Sequence, residues 1–118
     1  MNKEHEQKLV KEFPMLYQDC YKDPQKTCMA WGFEVDDGWF DLIYELSKKL
    51  EGHTVACQVK EKYGGLRFYV TSATDEIYAI IDKAEQDSYT ICEHCGKPGT
   101  LRTDRWHVTL CDECFEEK

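Results

Sequence analysis

Val55–Thr71, VACQVKEKYGGLRFYVT, is the stretch that decides the fold. Val55, Cys57 and Val59 alternate with Ala56, Gln58 and Lys60, and beyond the glycines Leu66, Phe68 and Val70 alternate with Arg67, Tyr69 and Thr71. A period of two belongs to strands, whose successive side chains point to opposite faces. A Gly-Gly pair between two such runs marks a hairpin, because glycine takes positive φ at no steric cost. A two-residue turn at Gly64–Gly65 would set Tyr63 opposite Leu66, Lys62 opposite Arg67 and Val59 opposite Val70. One face is then apolar and must be covered, with Cys57 pointing inward as a core residue. The other face carries Gln58, Lys60, Lys62, Arg67, Tyr69 and Thr71.

A lone hairpin is marginal in water, so the flanking sequence should supply its cover. Downstream, Ile77, Ile80, Ile81 and Ala84 make a helical stripe over residues 75–87, with Thr74 or Ser72 as N-cap. Upstream, Trp39, Leu42, Ile43, Leu46 and Leu50 make a second stripe, with Asp36 or Asp37 as N-cap and Gly52 closing the helix. Leu9, Val10 and Phe13 predict a short amphipathic helix over residues 3–13, ended by Pro14. Residues 19–30, DCYKDPQKTCMA, read as a loop. Trp31, Phe33 and Val35 alternate with Gly32 and Glu34, which predicts a third strand beside the hairpin. The expected class is α+β: a small body of helices and a β-hairpin over residues 1–89, followed by a second module over 90–118.

That module is defined by cysteine. Four of the seven Cys stand as Cys92-x2-Cys95 and Cys111-x2-Cys114. This is the spacing of a four-cysteine zinc ribbon or knuckle, in which each Cys-x-x-Cys turn aims two sulfurs at one point. Gly96 suits a tight knuckle after the second sulfur. Between the pairs, a turn at Asp104–Arg105 would pair Leu101 with Val108 and Thr103 with Trp106, though it lacks the glycine such turns prefer. Two disulfides are the competing reading, and a cytoplasmic chain disfavours them. His94 and His107 could replace a cysteine but read as bystanders. Four thiolates fill the zinc shell, so the expected Zn2+ is structural. Docking on the body is expected through Trp106 and Leu110, since residues 87–91 form no Gly- or Pro-rich linker. Cys20 and Cys28 read as ordinary thiols with no matching partner in the sequence.

Composition narrows the function classes. The 118 residues carry a formal charge of −8, and 42% hydrophobic with 13% aromatic content belongs to a folded chain. No run of 18 apolar residues is present, so no membrane span is expected. The polar start, MNKEHEQKLVKEF, is unlike a signal peptide, which makes the cytoplasm the expected location. An acidic chain repels phosphate backbones unless it carries a local basic patch. The cysteine module is not that patch: residues 92–114 set Lys97, Arg102 and Arg105 against Glu93, Asp104, Asp112 and Glu113. The alternative patch is the hairpin face of Lys60, Lys62, Arg67 and Tyr69, for nucleic acid or a nucleotide, against a plain solvated outer face. Glu34–Glu45 holds five acids and no Lys or Arg. It reads as a helix start or, more sharply, as an acidic surface for a basic partner, with Asp36, Asp37, Asp41 and Trp39 as candidate contacts beside exposed rings at Trp31, Phe33 and Tyr44. No nucleophile–base set is recognisable, so an enzyme is not expected.

The string QVKEKYGGLRFYV, followed by IDKAEQDSYTICEHCGKPGTLRTDRWHVTLCDEC, resembles a group of small bacterial and phage-borne proteins. In that group a VKEK(F/Y)G-LRFY hairpin precedes a helix and a C-terminal four-cysteine zinc module. The resemblance spans residues 36–114. It implies zinc on Cys92, Cys95, Cys111 and Cys114 and a phage or prophage setting, and it carries no catalytic residue across. Together these readings lead to an expected zinc-stabilised protein-binding module, a phage-encoded modulator or inhibitor of a bacterial host protein complex such as a defence complex.

Overall fold

The period-two stretch does form a hairpin, with its turn one residue earlier than the glycine pair suggests. The computed structural model describes residues 1–20, 28–104 and 106–116, and of Cys28 and Trp31 the backbone alone. The sequence expectations for Pro24, Arg105 and the side chains of Cys28 and Trp31 therefore lie outside the described residues. Strand β2 (Ala56–Lys62) pairs antiparallel with β3 (Gly65–Val70), setting Val59 opposite Phe68, Lys60 opposite Arg67 and Lys62 opposite Gly65. The turn residues are thus Tyr63 and Gly64, both left-handed at φ +55° and +84°. The reason lies at Gly65. A Cβ there would sit 2.4 Å from the Tyr89 hydroxyl, so this glycine serves a close approach and stays in the strand. The turn then falls on a tyrosine, at a cost of roughly 1–2 kcal/mol for an L-residue in the left-handed region. Glu61 braces it by accepting the Gly64 N–H at 2.7 Å.

The altered pairing moves β3 by two residues, which leaves every side chain on its expected face. One exception comes from a bulge between Ala56 and Gln58. It turns Ala56 fully inward and leaves Cys57 half-buried, so Cys57 is not the core residue that strict alternation predicts. The third strand is present as β1 (Phe33–Glu34), and it runs parallel to β2 with Phe33 beside Val59. Phe33, Val59 and Phe68 make one buried row across the sheet, and Glu34, Lys60 and Arg67 make the outward row.

Helix α2 (Phe40–Leu50) is the crossover that a parallel β1–β2 pair requires. It buries Ile43, Leu46 and Leu50, and Gly52 follows its end at φ +81°. Its start differs from expectation. Neither Asp36 nor Asp37 caps by side chain; a 3-10 turn at Asp37–Trp39 leads in instead. The Asp37 carboxylate accepts from the Asn2 N–H at 2.7 Å and lies 3.0 Å from His5 Nδ1. It thereby ties down α1 (Lys3–Glu12), which Asn2 caps. Helix α3 (Asp75–Ser88) is capped by Thr74, one of the two candidates, and buries Ile77, Ile81 and Ala84, while Ile80 is only partly buried. It packs along β3 and against α2, and the Ser88 hydroxyl accepts the edge N–H of Leu66. The opposite sheet edge is blocked as well, since Glu6 accepts the Phe33 N–H and the Met1 ammonium donates to the Val35 carbonyl. Covered edges cannot template pairing with another chain.

At the centre sit Trp39, Tyr17, Leu9, Leu16, Met29 and Ile43. The Tyr17 hydroxyl meets Ser47 Oγ, and burial raises its pKa. Trp39 and Phe33 are buried, which overturns the expectation of exposed rings there. Among the described residues no helix is long and apolar enough to cross a membrane.

Candidate metal centre

The chain leaves α3 and enters the first cysteine turn at once. Cys92 donates its N–H to the Lys97 carbonyl at 2.8 Å, and Gly96, at φ +84°, donates to the Cys92 carbonyl at 2.9 Å. This tight loop aims the sulfurs of Cys92 and Cys95 at one point. Strands β4 (Thr100–Arg102) and β5 (Val108–Leu110) then return the chain to the same place. The pairs are Thr100–Leu110, Leu101–Thr109 and Arg102–Val108. The expected pairing of Leu101 with Val108 is therefore displaced by one residue, and β4 ends at Arg102 before the expected Thr103–Trp106 pair. Cys111 follows β5 directly. Cys114 sits on the short helix α4 (Asp112–Glu116), whose Phe115 N–H donates to the Cys111 carbonyl.

All four sulfurs lie within 4.8 Å of one another, with Cys95 and Cys111 at 3.6 Å, and none of the four is in a disulfide. A tetrahedral ion bound at about 2.3 Å places neighbouring sulfurs roughly 3.8 Å apart, whereas a disulfide needs about 2.05 Å. The arrangement fits a metal ion. The acidities of the Cys92, Cys95 and Cys114 thiols diverge. Burial opposes the Cys92 thiolate, yet N–H groups of Cys111, Cys95 and His94 outweigh it and bring this thiol down to about 6. At Cys114, desolvation and the sulfurs of Cys111, Cys92 and Cys95 push the thiol up. At Cys95 the Lys97 N–H favours the thiolate, but desolvation and the sulfurs of Cys92 and Cys111 prevail and raise it. Four sulfurs this close ionise one at a time, and a central cation is what allows four thiolates to coexist.

The knuckle is sewn to the body by backbone contacts. Gly38 donates to the Glu93 carbonyl at 2.7 Å, Asp36 N–H to the Glu93 carboxylate at 3.1 Å, and Trp39 Nε1 to the Ile91 carbonyl at 2.9 Å. On the far side, the buried Thr109 hydroxyl donates to the Gly64 carbonyl at 2.6 Å. Gly38 is required by space, since a Cβ there would lie 2.1 Å from the Cys92 carbonyl oxygen. Of the two residues expected to pack the module down, Leu110 is buried and Trp106 is 68% exposed. The one-residue shift in β4–β5 turns Thr109 to the body and leaves Trp106 outside the paired strands.

The other predicted residues separate. His94 Nδ1 lies 3.7 Å from Asp36, and the His107 ring meets Tyr63 edge-on; neither belongs to the sulfur cluster. Asp36 and Asp41 are exposed, Asp37 is engaged by Asn2 and His5, and Trp39 is a buried wedge under the knuckle instead of a contact ring. On the outward hairpin face Lys60 stands opposite Arg67, but Arg67 is paired with Glu85 at 3.0 Å, and Lys62 Nζ lies over the Tyr63 ring. Sequence reasoning missed Gly38, Thr109 and the left-handed Tyr63. A lone glycine inside the acidic run Asp36–Trp39 was the one available signal. No protein-family model, curated protein or solved structure matches the chain.

Proposed function

We propose that the four cysteines hold zinc in a structural site and that the protein acts by binding another protein. The observation that carries this is the complete four-sulfur shell, sewn to the body at the Gly38–Glu93 and Thr109–Gly64 contacts. Four thiolates leave no open position for water or substrate, so the ion organises surface and performs no step. Borderline-soft Zn2+ suits an all-thiolate set. The likeness of the hairpin and cysteine module to phage-borne proteins favours a bacterial host protein as the partner, with modulation of that protein as the outcome. The acidic balance of the chain weighs against a general nucleic-acid role.

Two measurements test the reading. Metal analysis of the purified chain should return one zinc per chain, lost in Cys111→Ser. Capture from bacterial lysate with and without nuclease should return a stoichiometric protein in both. Recovery that disappears with nuclease moves the function to the Lys60–Arg67 face, and a metal-free chain that melts like the wild type removes the zinc.

A further inference from the structure

We propose that Tyr63, Trp106 and Leu101, with Lys60 and Lys62 beside them, form the docking surface for an acidic segment of a partner protein that presents apolar side chains. This rests on the protein-binding reading above and gives it a location. Trp106 and Tyr63 are 68% and 62% exposed, while Trp39 of the same chain is wholly buried. Tyr63 lies in the β2–β3 turn, and Trp106 is the chain neighbour of His107, which the cysteine hairpin brings to that turn. There the Tyr63 and His107 rings lie 5.9 Å apart, and Leu101 reaches to Gly64. Large rings held at the surface are the side chains that contribute most when an interface buries them.

The backbone gives a second, independent sign. Tyr63 occupies a left-handed turn position at φ +55°, where Asn or Gly sits without strain. Strain retained under an exposed ring points to a use for the ring. Charge then selects the partner. Lys62 Nζ lies 5.5 Å from the Tyr63 ring centroid, and Lys60 shares its side of β2. Among the described residues neither lysine has a carboxylate within ion-pair distance, whereas Arg67 on the same face is answered by Glu85. Carboxylates complement the two lysines and apolar side chains complement the rings. A phosphate backbone carries a charge at every nucleotide and is repelled by a chain of formal charge −8 far more than a segment with a few carboxylates among apolar side chains, which favours the sparsely acidic polypeptide.

The test is selection from a displayed random dodecapeptide library on the full, metal-replete chain, followed by titration with the selected peptides. Peptides combining Trp, Phe or Leu with Asp or Glu are expected. Their affinity should fall by roughly tenfold or more in Trp106→Ala and in Tyr63→Asn. Tyr63→Asn creates the Asn-Gly pair this turn prefers, so its melting temperature should hold or rise while binding falls. A merely structural Tyr63 would lower the melting temperature and leave peptide affinity unchanged. Selected peptides that bind both variants like wild type, and lose affinity in Asp36→Lys with Asp41→Lys, overturn this surface and leave the protein-binding reading standing. A library that yields no binder, or a dT oligonucleotide that binds with steep salt dependence and is lost in Trp106→Ala, overturns both.

Discussion

The two halves of the molecule treat tryptophan in opposite ways. In the body Trp39 is buried beneath the knuckle with its indole N–H on the Ile91 carbonyl, whereas in the cysteine hairpin Trp106 stands in solvent. The body has a continuous core from Leu9 through Ala84. Among the described residues after Ile91, the buried ones are Cys92, Thr109 and Leu110, and two of these three owe their burial to sulfur or to the Gly64 contact. A region of that size without its own core needs a staple. The body is therefore held by area removed from water, and the module by four sulfurs and a seam of backbone bonds.

Removing the staple should separate the halves most sharply. If the proposed zinc is bound, Cys111→Ser or a strong chelator should release it and unfold the module; in finger peptides such binding energy is on the order of 10–16 kcal/mol. Amide signals of residues 92–114 should collapse while those of α2 and β2–β3 persist. Simultaneous loss of both sets would mean that the body depends on the module. Gly38→Ala attacks the seam instead, placing a Cβ on the Cys92 carbonyl, and should cost about 2–4 kcal/mol by urea unfolding with all four cysteines in place. Gly52→Ala is its control, for a Cβ there meets nothing within 4 Å and strain at φ +81° is the sole cost, about 1 kcal/mol.

Thr109→Val keeps the shape but leaves the Gly64 carbonyl without its buried donor, an expected loss of about 1–3 kcal/mol. Equal stability in that variant would show that water reaches the seam. The smallest effect is expected at the far end of the body. The Asn2 amide first, helped by His5, holds the Asp37 carboxyl below its usual range against the opposing effect of desolvation. A depressed folded-state pKa contributes stability above the unfolded value and loses it as pH falls through the folded one. Acidification below the ordinary carboxylate range should therefore loosen the start of α1, seen as faster exchange at the His5 and Glu6 amides. Asp37→Asn should weaken that pH dependence.

Much of this architecture was legible in the residues, for a local reason. Alternation from Val55 to Val70, the stripe Ile77–Ile80–Ile81–Ala84 (of which Ile80 is only partly buried), one of the two candidate caps, Thr74, and the Cys-x-x-Cys pairs are each read within one or two turns of chain. The α–β–α–β–β–α order and the sulfur cluster followed from them. The acidic run was less legible, because Asp and Glu before a helix look the same whether they cap it, tie down a neighbouring helix or face a partner. Here Asp37 does the second.

By itself the sequence determined which elements exist, which face of the hairpin is apolar and which four sulfurs meet. Tertiary structure alone decided that Gly65 stays in the strand because Tyr89 lies against it, so that a tyrosine takes the strained turn. It also decided the parallel run of β1 through the α2 crossover, the half-burial of Cys57 by a bulge, and the exchange of Thr109 for Trp106 at the seam. Periodicity and spacing are properties of neighbours along the chain and survive a shift of two residues. Register and the choice of buried ring are settled by contacts between residues 24 to 55 positions apart, whose shapes no short window contains.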